Sequence, residues 1–172
     1  CLSAMITYLL YVFMASYATQ VVGLPFVQTS IVATLALLGT TLLVPIGGYL
    51  SDRIGRRRCL LWSTSVFVLL SYPLFLLISH GNFTSFVIAE IIFVLIGSCF
   101  QGALPATVFE MVPTQVRYSV VAVGYNVSYS IFGGTAPLVA SYLVTVSGDN
   151  AAPGWYLMAG AVVALLAAWR LR

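Results

Sequence analysis

The chain has 172 residues, of which 61% are hydrophobic and 6% are charged, and its formal net charge is +3. A water-soluble domain carries about 25% charged residues, so this composition excludes a solvated surface and makes lipid the solvent for most of the chain. All seven cations are arginine and stand at the ends of apolar segments. They form no continuous basic face, which argues against nucleic-acid binding.

A membrane-spanning helix needs roughly 20 mostly apolar residues to cross about 30 Å of hydrocarbon. In chain order the candidates are residues 2–19, 30–50, 59–78, 86–108, 120–146 and 155–171. The runs are too long and too continuously apolar for strands, and they lack alternation of period two. The expected fold class is therefore all-α, a polytopic membrane protein with a six-helix bundle over residues 1–172. The first span is short, no signal peptide precedes it, and the chain opens on Cys1 inside a hydrophobic run, so we expect a piece of a longer protein. Cys1, Cys59 and Cys99 are far apart in sequence with no metal-like spacing, and read as thiols that behave like small hydrophobes.

Arginine gives the orientation. Arg53, Arg56, Arg57 and Arg58 lie in the second connection, Arg117 in the fourth, and Arg170 and Arg172 at and beyond the end of the sixth span. With six spans, all seven fall on one side, while the other side carries His80 and Asp149. Lys and Arg collect on cytoplasmic loops, so this side and the C-terminus are expected in the cytoplasm, with connections 20–29, 79–85 and 147–154 outside. Trp62, Tyr72, Trp155 and Trp169 near span ends suit interfacial anchoring. The sequon at Asn82 lies in a very short outer loop and the one at Asn126 inside a span, so neither is read as a glycosylation site.

The second connection packs five of the eleven charged side chains into residues 52–58. Its pattern is Gly48-x-x-x-Asp52-Arg53-x-Gly55-Arg56-Arg57. Gly48 suits close approach of two helices, Gly55 a sharp reversal, and Asp52 a position near a neighbouring helix N-terminus. The arginines suit acids on adjacent helices or anionic lipid. An ordinary positive loop needs the arginines but not this spacing of Gly and Asp. Further on, Pro113 stops the fourth span, Thr114 or Ser119 suits the cap of the next helix, and Glu110 and Arg117 bracket the turn as a candidate ion pair.

Residues 48–57 resemble the inter-helix signature of the major facilitator superfamily. The stretch Glu110-Met-Val-Pro113-Thr114-Gln-Val-Arg117-Tyr118-Ser119, with Gly124-Tyr125-Asn126 and Phe132-Gly133-Gly134-Thr-Ala-Pro137, is similar to the tenth-to-eleventh helix region of its metabolite:proton symporters. Those carry α-ketoglutarate, citrate, shikimate or proline/betaine. The resemblance covers residues 48 to about 143 and implies a C-terminal bundle, helices seven to twelve, that lacks its N-terminal six-helix partner. It further implies that Asp52, Arg56, Glu110 and Arg117 form a network closing the cytoplasmic side, and that the protein is a secondary transporter of a bacterial inner membrane. Its expected partners are a small organic metabolite, a coupling proton and the lipid bilayer.

Glu90 is the one acid well inside a span, and intramembrane charges are costly enough to be functional candidates. Its face continues through Val94, Gly97 and Gln101. The resemblance places this helix beside the central cavity. The alternative for Glu90 is a carboxylate near enough to the outer interface to reach water. The first span offers Ser3, Thr7, Tyr11 and Met14 on one face with Tyr8 beside it, and the fifth offers Ser119, Asn126, Ser130, Gly133 and Pro137. Such groups often only bond neighbouring helices or their own backbone. From these, Glu90, Gln101, Asn126, Tyr8 and Tyr11 are the substrate or proton candidates, the tyrosines being suited to a positively charged ligand. Gly133, Gly134 and Pro137 suggest a bend. No metal-spacing cluster, Ser/His/Asp set or phosphate-binding glycine loop is present, and His80 reads as a surface residue, so no enzyme, cofactor or metal is expected. The other readings are another branch of the same superfamily, such as a sugar porter, and a non-transporting membrane interaction protein.

Overall fold

The computed structural model describes residues 1–170, so Leu171 and Arg172 lie outside the described residues. Continuous apolar sequence closes its backbone hydrogen bonds within each segment, as a bilayer requires, and six helical segments result. They are α1 (Leu2–Gln20), α2 (Phe26–Ile54), α3 (Arg56–Ser79), α4 (Phe83–Met111), α5 (Arg117–Ser147) and α6 (Pro153–Trp169). No strand occurs among the described residues. The first five are long and apolar enough to span; α6 is a shorter apolar helix that begins two residues before the sequence expectation.

Two helices depart from regular α geometry. The stretch Ile6–Phe13 of α1 is π-helical, and α5 is interrupted by a π turn at Tyr129–Gly133 followed by a turn at Gly134 and Thr135. The interruption falls where Gly133, Gly134 and Pro137 suggested a bend. The other boundaries run a few residues past the expected spans, because the helices continue beyond the apolar core into the interfacial layer.

Helix α1 is the centre of the bundle. Some 61% of its spanning window is buried, against 22% for α2 and 17% for α5. Leu2, Ile6, Leu9, Leu10, Met14 and Tyr17 of α1 join Phe67 and Phe75 of α3 and Phe86 and Phe93 of α4 in one core. Around it α2 lies on α4, α3 on both α4 and α6. The α2–α4 crossing is set by glycine: a Cβ on Gly47 would stand 2.5 Å from the Ser98 carbonyl oxygen, and one on Gly102 would stand 2.5 Å from the Gly48 nitrogen. Gly48 itself has room for a Cβ, 3.6 Å from the Gly102 oxygen. The close approach assigned to Gly48 therefore belongs to its neighbour Gly47 and to Gly102. Gly55 has φ of +101°, the left-handed backbone that makes the reversal between α2 and α3.

Two hydrogen bonds tie the helix ends opposite the arginines. The Tyr17 hydroxyl donates to the Asn150 carbonyl, and the Thr19 and Thr29 hydroxyls lie 3.0 Å apart. Trp62 and Trp169 are mostly exposed, and Trp155 is half exposed, packed on Tyr72 at 4.6 Å between ring centroids. His80 is exposed, its Nδ1 2.8 Å from the Leu76 oxygen.

Candidate functional site

Three regions bring sequence candidates together. The first lies at the arginine-bearing end. Asp52 stands in the last turn of α2 and Arg56 at the start of α3, four residues apart across Gly55. Arg56 donates from Nε and Nη2 to Asp52 Oδ1 at 3.1 and 3.0 Å. Its Nη1 also pairs with Glu110 Oε1 near the end of α4. One guanidinium, with five donors in a rigid fork, thus joins three helix ends. The side chains remain partly open, at 29% exposure for Arg56 and 65% for Glu110.

Arg117 does not join this group. Its Nε donates to the Val112 carbonyl at 3.1 Å, capping the end of α4, so the expected Glu110–Arg117 ion pair is replaced by Glu110–Arg56. The reason is geometric: Pro113 turns the chain so that Arg117 lies over the free carbonyls of the helix that Pro113 ends. Neither Thr114 nor Ser119 caps α5; Val116 occupies the N-cap with no side-chain bond. Two further ties were not expected from spacing. Arg57 Nη2 donates to the Trp169 carbonyl at 3.0 Å, fastening α3 to the end of α6, and Arg53 lies 4.8 Å from the centroid of the Tyr49 ring.

The second region is a groove of about 320 Å³ lined by Ser3 and Ala4 of α1, Leu104 of α4, and Val121, Tyr125 and Tyr129 of α5. Tyr125 stacks on Tyr129 at 5.9 Å, Tyr8 meets Tyr129 edge-on at 6.4 Å, and the Ser3 and Tyr129 hydroxyls are 3.1 Å apart. Tyr8 lies so close to Gly133 that a Cβ there would stand 2.6 Å from its ring. Tyr125 and Tyr129 were not among the candidates; their spacing of four on an interrupted helix was the available signal. The candidate Asn126 lies outside this lining, is exposed, and donates from Nδ2 to the Ala122 carbonyl at 2.9 Å.

The third region is internal. Glu90 is 1% exposed, and neither carboxylate oxygen has a hydrogen-bond partner. It does not reach water at the outer interface. It borders a cavity of about 330 Å³ in the α2–α4 seam, lined also by Val32, Ala36, Gly39 and Val94. Deeper along the same face, a Cβ on Gly97 would stand 3.1 Å from the Tyr11 hydroxyl. That hydroxyl is 2.9 Å from Thr40 Oγ1, which is 2.9 Å from the Ala36 carbonyl. Thr40 has one proton. It is placed to donate that proton to the Tyr11 hydroxyl or to the Ala36 carbonyl. Gln101 is half-buried beside Tyr11. Thr40 gave no sequence signal, since a lone threonine in a span usually bonds its own backbone. Cys59 Sγ lies 3.8 Å from the Cys99 carbonyl oxygen, and no group of three potential metal ligands occurs among the described residues.

The sequence model of the Major Facilitator Superfamily matches residues 1–172. A Staphylococcus aureus (strain COL) protein, whose name assigns it provisionally to proline/betaine transport, is 34% identical over 159 residues, 92% of this chain and 34% of that protein. The citrate-proton symporter of Salmonella typhi is 32% identical over 161 residues, 93% of this chain and 37% of that protein. The proline/betaine transporter of Salmonella typhimurium (strain LT2) is 32% identical over 160 residues, 92% of this chain and 32% of that protein. No solved structure matches. The chain spans about a third of the length of these curated relatives. A bundle of apolar helices, a charged turn joining three of their ends and relatives that are all transporters agree, and the chain belongs to the Major Facilitator Superfamily, a family of multi-pass membrane transporters rather than enzymes.

Proposed function

We propose that this chain is one six-helix bundle of a secondary transporter that moves a small organic metabolite together with a proton. The second bundle faces α2 and α5, the two least covered helices, and the two rock about a site between them. The relatives carry citrate or proline/betaine by name, which narrows the solute to an organic acid or a betaine-type zwitterion. The arginine-bearing end, and with it the C-terminus, faces the cytoplasm.

The observation that carries this reading is Arg56 bound to both Asp52 and Glu110. A clasp between α2, α3 and α4 at one face is a contact that exists in one conformation and breaks in another, as alternating access requires. Surface pairs are worth about 0–1 kcal/mol each, small against folding but enough to tip a balanced equilibrium. Gly48, Asp52, Arg53, Gly55, Arg56, Arg57, Glu110 and Pro113 make up this gate; Arg117 supports it by capping α4. Tyr8 with Tyr125 and Tyr129 forms the solute-facing wall, where ring faces suit a quaternary ammonium group.

The test is uptake of labelled citrate, proline and glycine betaine by the complete two-bundle protein in proteoliposomes. Uptake of one of these driven by an imposed inward proton gradient and abolished by a protonophore is expected. Asp52→Asn at equal expression lowers the rate. Uptake of sugars alone, or of no solute, sinks the reading.

A further inference from the structure

The turn between α2 and α3 holds four arginines, and the protein itself engages two of them. Arg56 is taken by Asp52 and Glu110, and Arg57 by the Trp169 carbonyl. Arg53 and Arg58 are exposed, and neither meets an acid or a carbonyl among the described residues; Arg53 lies only against the Tyr49 ring. This chain has no acid left to offer them, and neither has a second copy beside it. Of its four carboxylates, Asp52 and Glu110 are held by Arg56 and Glu90 is buried. Asp149 stands at the opposite end of the bundle, its Oδ1 accepting from the Ala151 nitrogen.

Next to these two arginines a groove of about 350 Å³ opens on the outside of the bundle. Ile46 and Leu50 of α2 form one rim, Trp62 and Val66 of α3 the other, and Leu95 and Cys99 of α4 the floor. Ile46 is 60% exposed and Trp62 70%. The hydroxyls in the lining, Ser63 and Ser98, donate to carbonyls of their own helices, so the groove offers an occupant little but apolar surface. Helical spacing sets the two arginines at one end of it. Arg58 precedes Trp62 by four residues on α3, and Arg53 follows Leu50 by three on α2. The Arg53 side chain is drawn back along α2 until its guanidinium lies 4.8 Å from the Tyr49 ring centroid, at the level of Leu50. Asp52, two residues past Leu50, falls on the other side of α2.

We propose that this groove seats one anionic phospholipid, with its phosphate between Arg53 and Arg58 and one acyl chain laid along α2, α3 and α4. Both ends of such a molecule find their match. A guanidinium fork suits phosphate oxygens, and the Trp62 indole, apolar in body with one N–H, suits the boundary between headgroup and chain. A free phosphate would leave the apolar groove unfilled. A zwitterionic lipid would bring an ammonium group beside two guanidinium groups. The lipid joins the same two helix ends that Arg56 joins, so it favours the conformation in which the Arg56 clasp is closed. The site is independent of which solute the protein carries.

The test places the complete protein in phosphatidylcholine vesicles in which a minor phosphatidylglycerol component alone carries brominated acyl chains, which quench nearby indoles. Subtracting the emission of Trp62→Phe isolates Trp62. Its quenching is expected to exceed that of random contact with the minor lipid, and to fall when the bromines are carried by an equal fraction of phosphatidylcholine instead. Arg53→Gln and Arg58→Gln each lower the affinity for the brominated phosphatidylglycerol by about fivefold, the factor that one arginine near an anionic surface supplies. Lysine at either position keeps most of it. Arg170→Gln, exposed at the end of α6 and outside the groove lining, leaves it unchanged. Equal quenching by the two brominated lipids overturns the site, as does quenching that survives loss of both arginines. A Trp62 that no brominated lipid reaches also overturns it, because the second bundle or a second copy then covers the groove.

Discussion

The charged turn at the arginine-bearing end and the polar cluster around Glu90 are built on opposite terms. Asp52, Arg56 and Glu110 are partly open to solvent and fully paired; Glu90 is buried and unpaired. Water and anionic headgroups solvate the first group whenever its pairs break, so each pair is cheap to open. No protein group pairs with Glu90 in the α2–α4 seam, so its charge state is tied to the packing around it. A transporter uses both: contacts that open at little cost at the end of a bundle, and a site that changes state only when something else moves.

Substitutions in the two regions should differ in what they change. The largest effect is expected where the seam itself is closed. Gly102→Val places side-chain atoms on the α2 backbone, and overpacking of that kind costs about 1–3 kcal/mol even where flexible side chains absorb it; the variant should lose its cooperative melt in detergent. Glu90→Leu should do the reverse. Removing a buried carboxyl without partners relieves about 1–3 kcal/mol, so the melting temperature rises while proton-driven uptake falls. A lower melting temperature would show that Glu90 has a partner in the resting state.

Smaller effects belong to the turn. Arg117→Leu removes one hydrogen bond to the Val112 carbonyl, worth about 0.5–1.5 kcal/mol, and should destabilise the protein slightly with little change in transport. Glu110→Gln and Asp52→Asn should each alter thermal stability by less than about 1 kcal/mol yet shift the inward/outward balance, measured by accessibility of a single cysteine placed in α5. If the two act through Arg56, the double variant shows a coupling that the sum of single effects lacks. Raising the salt concentration should weaken this coupling and leave the stability change of Glu90→Leu unmoved, because buried charges are screened far less than exposed ones.

Much of the fold was legible because lipid imposes a simple code. Length of apolar run gave the spans, and Pro113 and Gly55 marked turns at the places where the chain turns. Arg56 with Asp52 was legible too, since four residues across a glycine reversal leave few alternatives. Arg117 was misread for want of one fact: whether its side chain would reach the acid at the end of α4 or the free carbonyl beside it. Both lie within an arginine's length. Asn126 stands on an exposed face of α5, its amide bonded to the Ala122 carbonyl, a backbone tie that side-chain type alone does not foretell.

Hydropathy and the placement of arginine fixed a membrane-embedded helical bundle and the identity of its charged turn, because charges are costly in hydrocarbon and collect at the ends of apolar segments, an order that the chain itself spells out. Which helix lies at the centre, which glycine makes the close crossing, and that Tyr11 and Tyr8 share a π stretch facing two different sites were decided by tertiary packing. Apolar side chains carry no direction, so contacts among several helices at once select which of many equally greasy faces turns inward.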